Sequence, residues 1–180
     1  YNAKLNDSIL CSAVVSEYSN INRNIIFIKV KKGNNGPIPE LPFRGNISKV
    51  YDQVNVSFSQ FEWVYSYSSY PSNDIWSEST LESLRQDFLA NVPINTADYR
   101  HIIFVVFGGI PGKSGWGYTP GYYSFIFENH NQSTVPHEMG HNYSFQHTGE
   151  DGGGDQDNVM TTPSNSRIKL RQNQWPVTRR

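Results

Sequence analysis

The stretch His137-Glu138-Met139-Gly140-His141-Asn142-Tyr143-Ser144-Phe145-Gln146-His147 decides how the rest of the chain is read. Ser133 or Thr134 precedes it as a helix cap, and Pro136 falls in the first turn, where a missing N–H costs nothing. Residues four apart share one face of a helix, so His137 and His141 present two imidazoles to one point. Glu138 lies beside them, close enough to reach a water at that point without being a ligand. His147 is six residues beyond His141, too far for the same face. It reaches the point only if the helix ends near Ser144 and the chain turns back.

Three neutral imidazoles with one open position make a catalytic zinc site, as opposed to a closed structural one. Zinc so held acidifies a water to a pKa of roughly 7 and polarises a carbonyl. Glu138 is placed to take the water's proton and later return it to a leaving amine. Such a pattern of rare residues arises by chance in a chain of this size on the order of once in several thousand.

These residues resemble the metzincin clan of zinc endopeptidases, whose HExxHxxGxxH motif is followed by a methionine turn. Met160, in Asp157-Asn158-Val159-Met160-Thr161, stands where that methionine is expected, as an apolar floor beneath the metal. Gly115-Trp116-Gly117-Tyr118, followed by Tyr122 to Phe127, looks like the clan's edge strand and the strand after it. The resemblance implies that an extended peptide adds to that edge, with its scissile carbonyl over the zinc. It also implies a pocket for the side chain after the cut, walled by Tyr143 and by Thr162-Pro163-Ser164. The segment from Phe61 to Leu89 looks like the strand-then-helix of the reprolysin (ADAM-like) branch. The resemblance covers residues 54–175 and is sharp over 134–162. The implied fold is α+β and zincin-like: a twisted mixed sheet, an active-site helix and a small irregular C-terminal subdomain. One catalytic domain, 1–180, would divide into 1–144 and 145–180.

The match departs from the clan in places. Ser144 occupies the family glycine's position, where a left-handed non-glycine costs roughly 1–2 kcal/mol. The turn there is therefore either strained or differently shaped. Thr162 replaces a tyrosine that some branches use as an extra ligand or oxyanion group, which is closer to the reprolysin and matrixin branches. Thr148 follows the third histidine where reprolysins carry Asp, and the reprolysin cysteines are missing. Those absences look more like a bacterial, toxin-like metzincin.

Composition sets the outer bounds. A chain of 180 residues is of single-domain size and buries roughly 68–70 % of its extended surface. Lys+Arg 15 against Asp+Glu 16 leaves no basic surplus for a general grip on nucleic acid. Aromatics at 14 % are too many for a disordered chain, while 18 Asn and 20 Ser give a polar surface compatible with secretion. No apolar run reaches the length of a membrane span. The single cysteine, Cys11, excludes an internal disulfide framework and is either a small buried hydrophobe or half of a bridge to another segment. The terminal pair Arg179-Arg180 suits trypsin-like cutting from a precursor. Together they are compatible with the catalytic chain of a secreted multi-subunit toxin, tied through Cys11 to a tail that docks on receptor-binding subunits. The expected partner at the active site is a protein or peptide substrate, and the expected location is extracellular. An inactive zinc-holding domain is the remaining alternative, and an intact Glu138 disfavours it.

Outward from the motif, periodicity predicts a helix over Ala3–Tyr18, an unusual start for a clan that opens with a strand. Asn24 to Val30 reads as a strand, ended by Gly33-Asn34-Asn35-Gly36-Pro37, and a loop runs from Pro37 to Gly45. Val54 to Tyr67 alternates with a phase slip near Gln60, which predicts a bulge. Ser79 or Thr80 caps a helix that buries Leu81, Leu84, Phe88 and Leu89. His101 to Phe107 is a central strand covered on both faces, and Ile168 to Gln174 a last helical turn or two. Asp151-Gly152-Gly153-Gly154-Asp155-Gln156-Asp157 offers carboxylates to calcium but matches no EF-hand spacing, so it reads first as a solvated loop. His101 and His130 read as strand-end or loop histidines. Five Asn-x-Ser sequons occur, one of them at Asn142 where a glycan could not fit, and none is read as glycosylated. Trp116 is a stacking platform or ordinary packing.

Overall fold

The computed structural model describes residues 2–5, 8–12, 19–147, 158–161, 169–170 and 175–178. Its start corrects the expected helix over Ala3–Tyr18. Strands β1 (Asn2–Leu5) and β2 (Ser8–Ser12) form an antiparallel hairpin in which Leu5 faces Ser8 and Ala3 faces Cys11. The spacing of Leu5 and Ile9 suits a helix, but the backbone pairing of Asn2–Leu5 with Ser8–Ser12 prevails. Residues 13–18 of that expected helix lie outside the described residues.

The main sheet has five strands in the order β4-β3-β5-β7-β6. Strand β3 (Ile21–Lys32) is built from the β-branched run and lies between two parallel neighbours, β4 (Val56–Tyr67) and β5 (His101–Val105). Strand β7 (Tyr123–Ile126) continues the parallel set beside β5, and β6 (Gly115–Gly117) closes that end antiparallel to β7. All five residues of β5 are buried, as a strand covered on both faces requires.

Alternate side chains feed two cores. On one face Ile25, Phe27, Ile103, Val105 and Ile126 meet helix α1 (Gly45–Tyr51) through Ile47, Val50 and Tyr51, and meet helix α3 (Thr134–Asn142) through Val135 and Met139. On the other, Ile26, Ile28, Ile102, Phe104 and Phe125 meet helix α2 (Glu78–Asn91) through Leu81, Leu84 and Phe88. Each such aliphatic or aromatic side chain contributes about 1.5–3 kcal/mol on full burial. Helix α1 occupies a stretch that carries no strong periodic signal, and only seven residues form it.

Two expectations shift in detail. The register of β3 on β4 runs unbroken from Ile21↔Val56 to Lys32↔Tyr67, so there is no bulge near Gln60. The phase slip has another origin: β4 is the edge of the sheet, and Phe61, Trp63 and Val64 are 43–48 % exposed on it. Helix α2 starts earlier than expected, capped by Ser77, whose hydroxyl accepts from the Thr80 N–H while Thr80 Oγ1 accepts from the Ser77 N–H.

Near the C-terminus, Asn158 bridges Lys169, and a four-residue helix α4 (Trp175–Thr178) follows. Of the turn expected over Ile168–Gln174, Lys169 lies in that bridge, and 168 and 171–174 lie outside the described residues. Most of the expected C-terminal subdomain, 145–180, lies outside them as well.

Candidate metal centre and cleft

Helix α3 carries the first two histidines. Its N-terminal groups are met from upstream: Asn131 Oδ1 accepts from the Ser133 N–H (2.8 Å) and Thr134 Oγ1 accepts from the Asn131 N–H (3.0 Å). Asn131 thus does the capping expected of Ser133 or Thr134, with Thr134 as its reciprocal partner. At the other end, Ser144 N–H donates to His141 O (2.8 Å) and Phe145 N–H to Gly140 O (3.1 Å). That pair of bonds is a Schellman motif. Ser144 fills its left-handed position with φ 68°, so the turn has the shape a glycine would give and carries the strain of a side chain.

The reversal delivers His147 to the helix. Its Nε2 lies 3.2 Å from His137 Nε2 and 3.1 Å from His141 Nε2. Two of the imidazoles are oriented by backbone: His137 Nδ1–H donates to Val159 O (2.7 Å) and His141 Nδ1–H to Phe145 O (2.9 Å). With Nδ1 protonated, Nε2 of each neutral ring carries a lone pair, and these lone pairs converge on one point. Burial, with the neighbouring His147, holds the His141 pKa below its ordinary value and keeps that ring neutral. Two nitrogens on a tetrahedral zinc at roughly 2.0–2.1 Å lie about 3.3 Å apart, so the donor set fits zinc. The histidine cluster points to that metal.

Beneath it, Asn158 to Thr161 forms a tight turn: Thr161 N–H donates to Asn158 O, and the Asn158 side chain accepts from the Met160 N–H (2.9 Å). Met160 is fully buried, with its sulfur against the Cα of Gly140, where a Cβ would collide with it.

Glu138 is 5 % exposed, beside the histidines and under β6. A Cβ on Gly115 would come within 2.6 Å of Glu138 Oε1, and one on Gly117 within 2.6 Å of the Glu138 carbonyl oxygen. Glycine at both positions lets strand and helix touch. Burial raises the Glu138 pKa to about 8, opposed by the charge of Lys113 and by the Gly117 N–H donated to its carboxylate.

The cleft above has a volume of about 700 Å³ and is lined by β6 and Tyr118 on one side and by the three histidines, Glu138, Val159 and Thr161 on the other. Gly115, Trp116, Gly117 and Tyr118 are thus brought to the site. Tyr143 is not. It is buried behind the helix, with its ring 5.1 Å from that of His101 and 5.9 Å from that of Tyr51, and it does not line the cleft. The correction has a simple cause: Tyr143 is the C-cap of α3, two residues past His141 and on the face turned to the core. Thr162, Pro163 and Ser164, and the acidic loop 151–157 considered for calcium, lie outside the described residues.

The two other histidines sit away from the cluster. His130 Nδ1–H donates to Phe127 O (2.8 Å). His101 begins β5, fully buried, and its Nδ1–H donates to Asn142 Oδ1 (3.0 Å). Asn142 is a residue that pattern reading passed over. Its Oδ1 also accepts from Ser124 Oγ, and its amide donates to Tyr118 O (3.1 Å) and Tyr123 O (2.9 Å). A buried amide so engaged leaves no room for a glycan at that sequon. Lys113 also lines the cleft, and a lone lysine in a glycine-rich loop carries no pattern by which the sequence could mark it.

No family model and no curated protein matches the sequence. The fold does match solved structures. Metalloproteinase-II from Bacteroides fragilis superposes with TM-score 0.52 at 16 % identity, over 86 % of this chain and 51 % of that one. Archaemetzincin from Methanopyrus kandleri gives TM-score 0.52 at 13 % identity, over 92 % of this chain and 98 % of that one. A zinc-dependent peptidase from Methanocorpusculum labreanum gives 0.50 at 11 %, over 85 % and 98 %. The chain spans about half the length of the Bacteroides fragilis chain it matches. At these identities the likeness is one of fold.

Proposed function

We propose that this chain is a zinc-dependent endopeptidase of metzincin type. The observation that carries the reading is the convergence of three imidazole nitrogens, two of them 3.1 and 3.2 Å from the third, beside one buried carboxyl in an open cleft. His137, His141 and His147 hold the metal. Zinc bound there supplies Lewis acidity, acidifying a water and polarising a peptide carbonyl. With the metal's charge beside it offsetting the burial that raises its pKa, Glu138 would take the proton from the attacking water and deliver it to the leaving amine. The outer edge of β6 receives the substrate backbone by strand addition. Gly115 and Gly117 keep that strand close enough to Glu138 for the carboxyl and the bound peptide bond to meet.

The test is metal content followed by cleavage of a peptide library with and without chelator. One zinc per chain and chelator-sensitive cleavage are expected. Glu138→Ala should retain zinc and the unfolding midpoint and lose nearly all activity. Proteolysis surviving in that variant overturns the mechanism. Zinc binding without cleavage of any peptide makes the chain a binding domain instead.

A further inference from the structure

Apart from the three histidines and Tyr118, the ionisable side chains lining the described cleft are Lys113 and Glu138. Glu138 faces the histidines, which leaves Lys113 as the charge a substrate side chain would meet. Its ammonium lies 3.8 Å from the centroid of the Trp116 ring, a cation–π contact that holds it on the wall next to β6. Among the described residues its one salt-bridge partner is distant: Glu78 Oε1 is 3.9 Å away, and the Glu78 and Lys113 side chains are 65 % and 41 % exposed, a pair worth little. Lys113 also precedes Gly115 by two residues. A peptide adding antiparallel to β6 places the residues that follow its cut beside the start of that strand.

We infer that Lys113 selects substrates with an acidic side chain just after the scissile bond, an inference that rests on the endopeptidase reading above. The wall supplies a cation parked on an aromatic face and only loosely paired. A Glu or Asp of the substrate exchanges the weak Glu78 contact for a closer one, and a Lys or Arg there is repelled.

The experiment compares peptides identical except for Glu or Gln in the first three positions after the cut. With the zinc-loaded protein, kcat/KM is expected to favour Glu by about fivefold, the scale of a partly exposed ion pair. The ratio should approach one in Lys113→Ala, invert in Lys113→Glu, and shrink as salt is raised. The same labelled peptides are also titrated by fluorescence anisotropy into the Glu138→Gln protein, with and without Lys113→Ala, which reads selection without turnover. If no peptide is cleaved, the endopeptidase reading fails and the anisotropy ratio alone decides the role of Lys113. A ratio near one in the unsubstituted protein, or an unchanged ratio in Lys113→Ala, overturns the inference.

Discussion

The Nδ1–H of His137 donates to the carbonyl oxygen of Val159 across 2.7 Å, and Val159 is the residue before Met160. One backbone atom therefore joins helix α3 to the turn beneath it. His141 is oriented in the same way by the carbonyl of Phe145. Both orienting acceptors are main-chain atoms, so the tautomer that aims Nε2 at the metal is set by the fold and not by a replaceable side chain.

Metal removal should cost stability as well as activity. Without a cation the converging lone pairs of His137, His141 and His147 repel one another. A ligand at a hundred times its Kd stabilises the folded state by about 2.7 kcal/mol. Calorimetry is expected to show a lower Tm in chelator, restored by zinc. In His147→Ala the zinc-dependent shift should largely disappear.

Ser144→Gly should stabilise the protein. Ser144 sits at φ 68° with the Schellman bonds intact, so glycine removes the strain without altering the turn. Part of the gain is lost to the freer unfolded chain, leaving roughly 0.5–1 kcal/mol. Ser144→Val should lose at least as much, because a β-branched residue tolerates a positive φ poorly. Urea unfolding of both variants checks the sign and size.

Gly140→Ala should destabilise despite better helix propensity. The added Cβ meets the sulfur of fully buried Met160 and lies 3.4 Å from the Phe145 ring. Overpacking of this kind costs about 1–3 kcal/mol, against about 1 kcal/mol gained from replacing glycine in a helix. A double-mutant cycle with Met160→Ala should show coupling of the two positions, and strict additivity would contradict the contact.

Acid should weaken the fold through His101. Burial first, and the charge of Arg100 second, push its pKa from 6.5 down to about 3. Its Nε2 is buried without a hydrogen-bond partner among the described residues, so a proton there has none of them to donate to. The unfolded chain binds that proton near pH 6.5 and the folded chain only near pH 3. Stability from this group is thus complete above about pH 6.5 and falls as pH drops through that window. At about 1.4 kcal/mol per unit the loss is at most about 4–5 kcal/mol. In chelator, to remove metal effects, His101→Gln should flatten the fall in Tm between pH 7 and 4. An equal slope in both proteins would refute this account.

The parts legible in advance are those where pattern and chemistry coincide. The histidine spacing places α3, and the apolar run His101–Phe107 contains β5, because a strand buried on both faces must be apolar throughout. The hairpin at the start was hidden because Leu5 and Ile9 stand at a spacing both structures allow. The exposure of Phe61 and Trp63 could not be read, since nothing local says which strand ends the sheet. Likeness to the clan places Tyr143 in the cleft, whereas its own helical angle turns it to the core. Asn142 and Lys113 act through neighbours 18 or more residues away or through a field, and neither leaves a spacing to detect.

Asn142 ends the helix that carries the first two histidines, and its side chain holds the carbonyls of Tyr118 and Tyr123, which flank the turn from β6 to β7. The helix that carries the histidines and the edge strand above it are therefore registered to each other twice: this amide fixes the turn that leads out of β6, and the close passage of Gly115 and Gly117 over Glu138 fixes the strand itself. A displacement of either element strains both contacts at once.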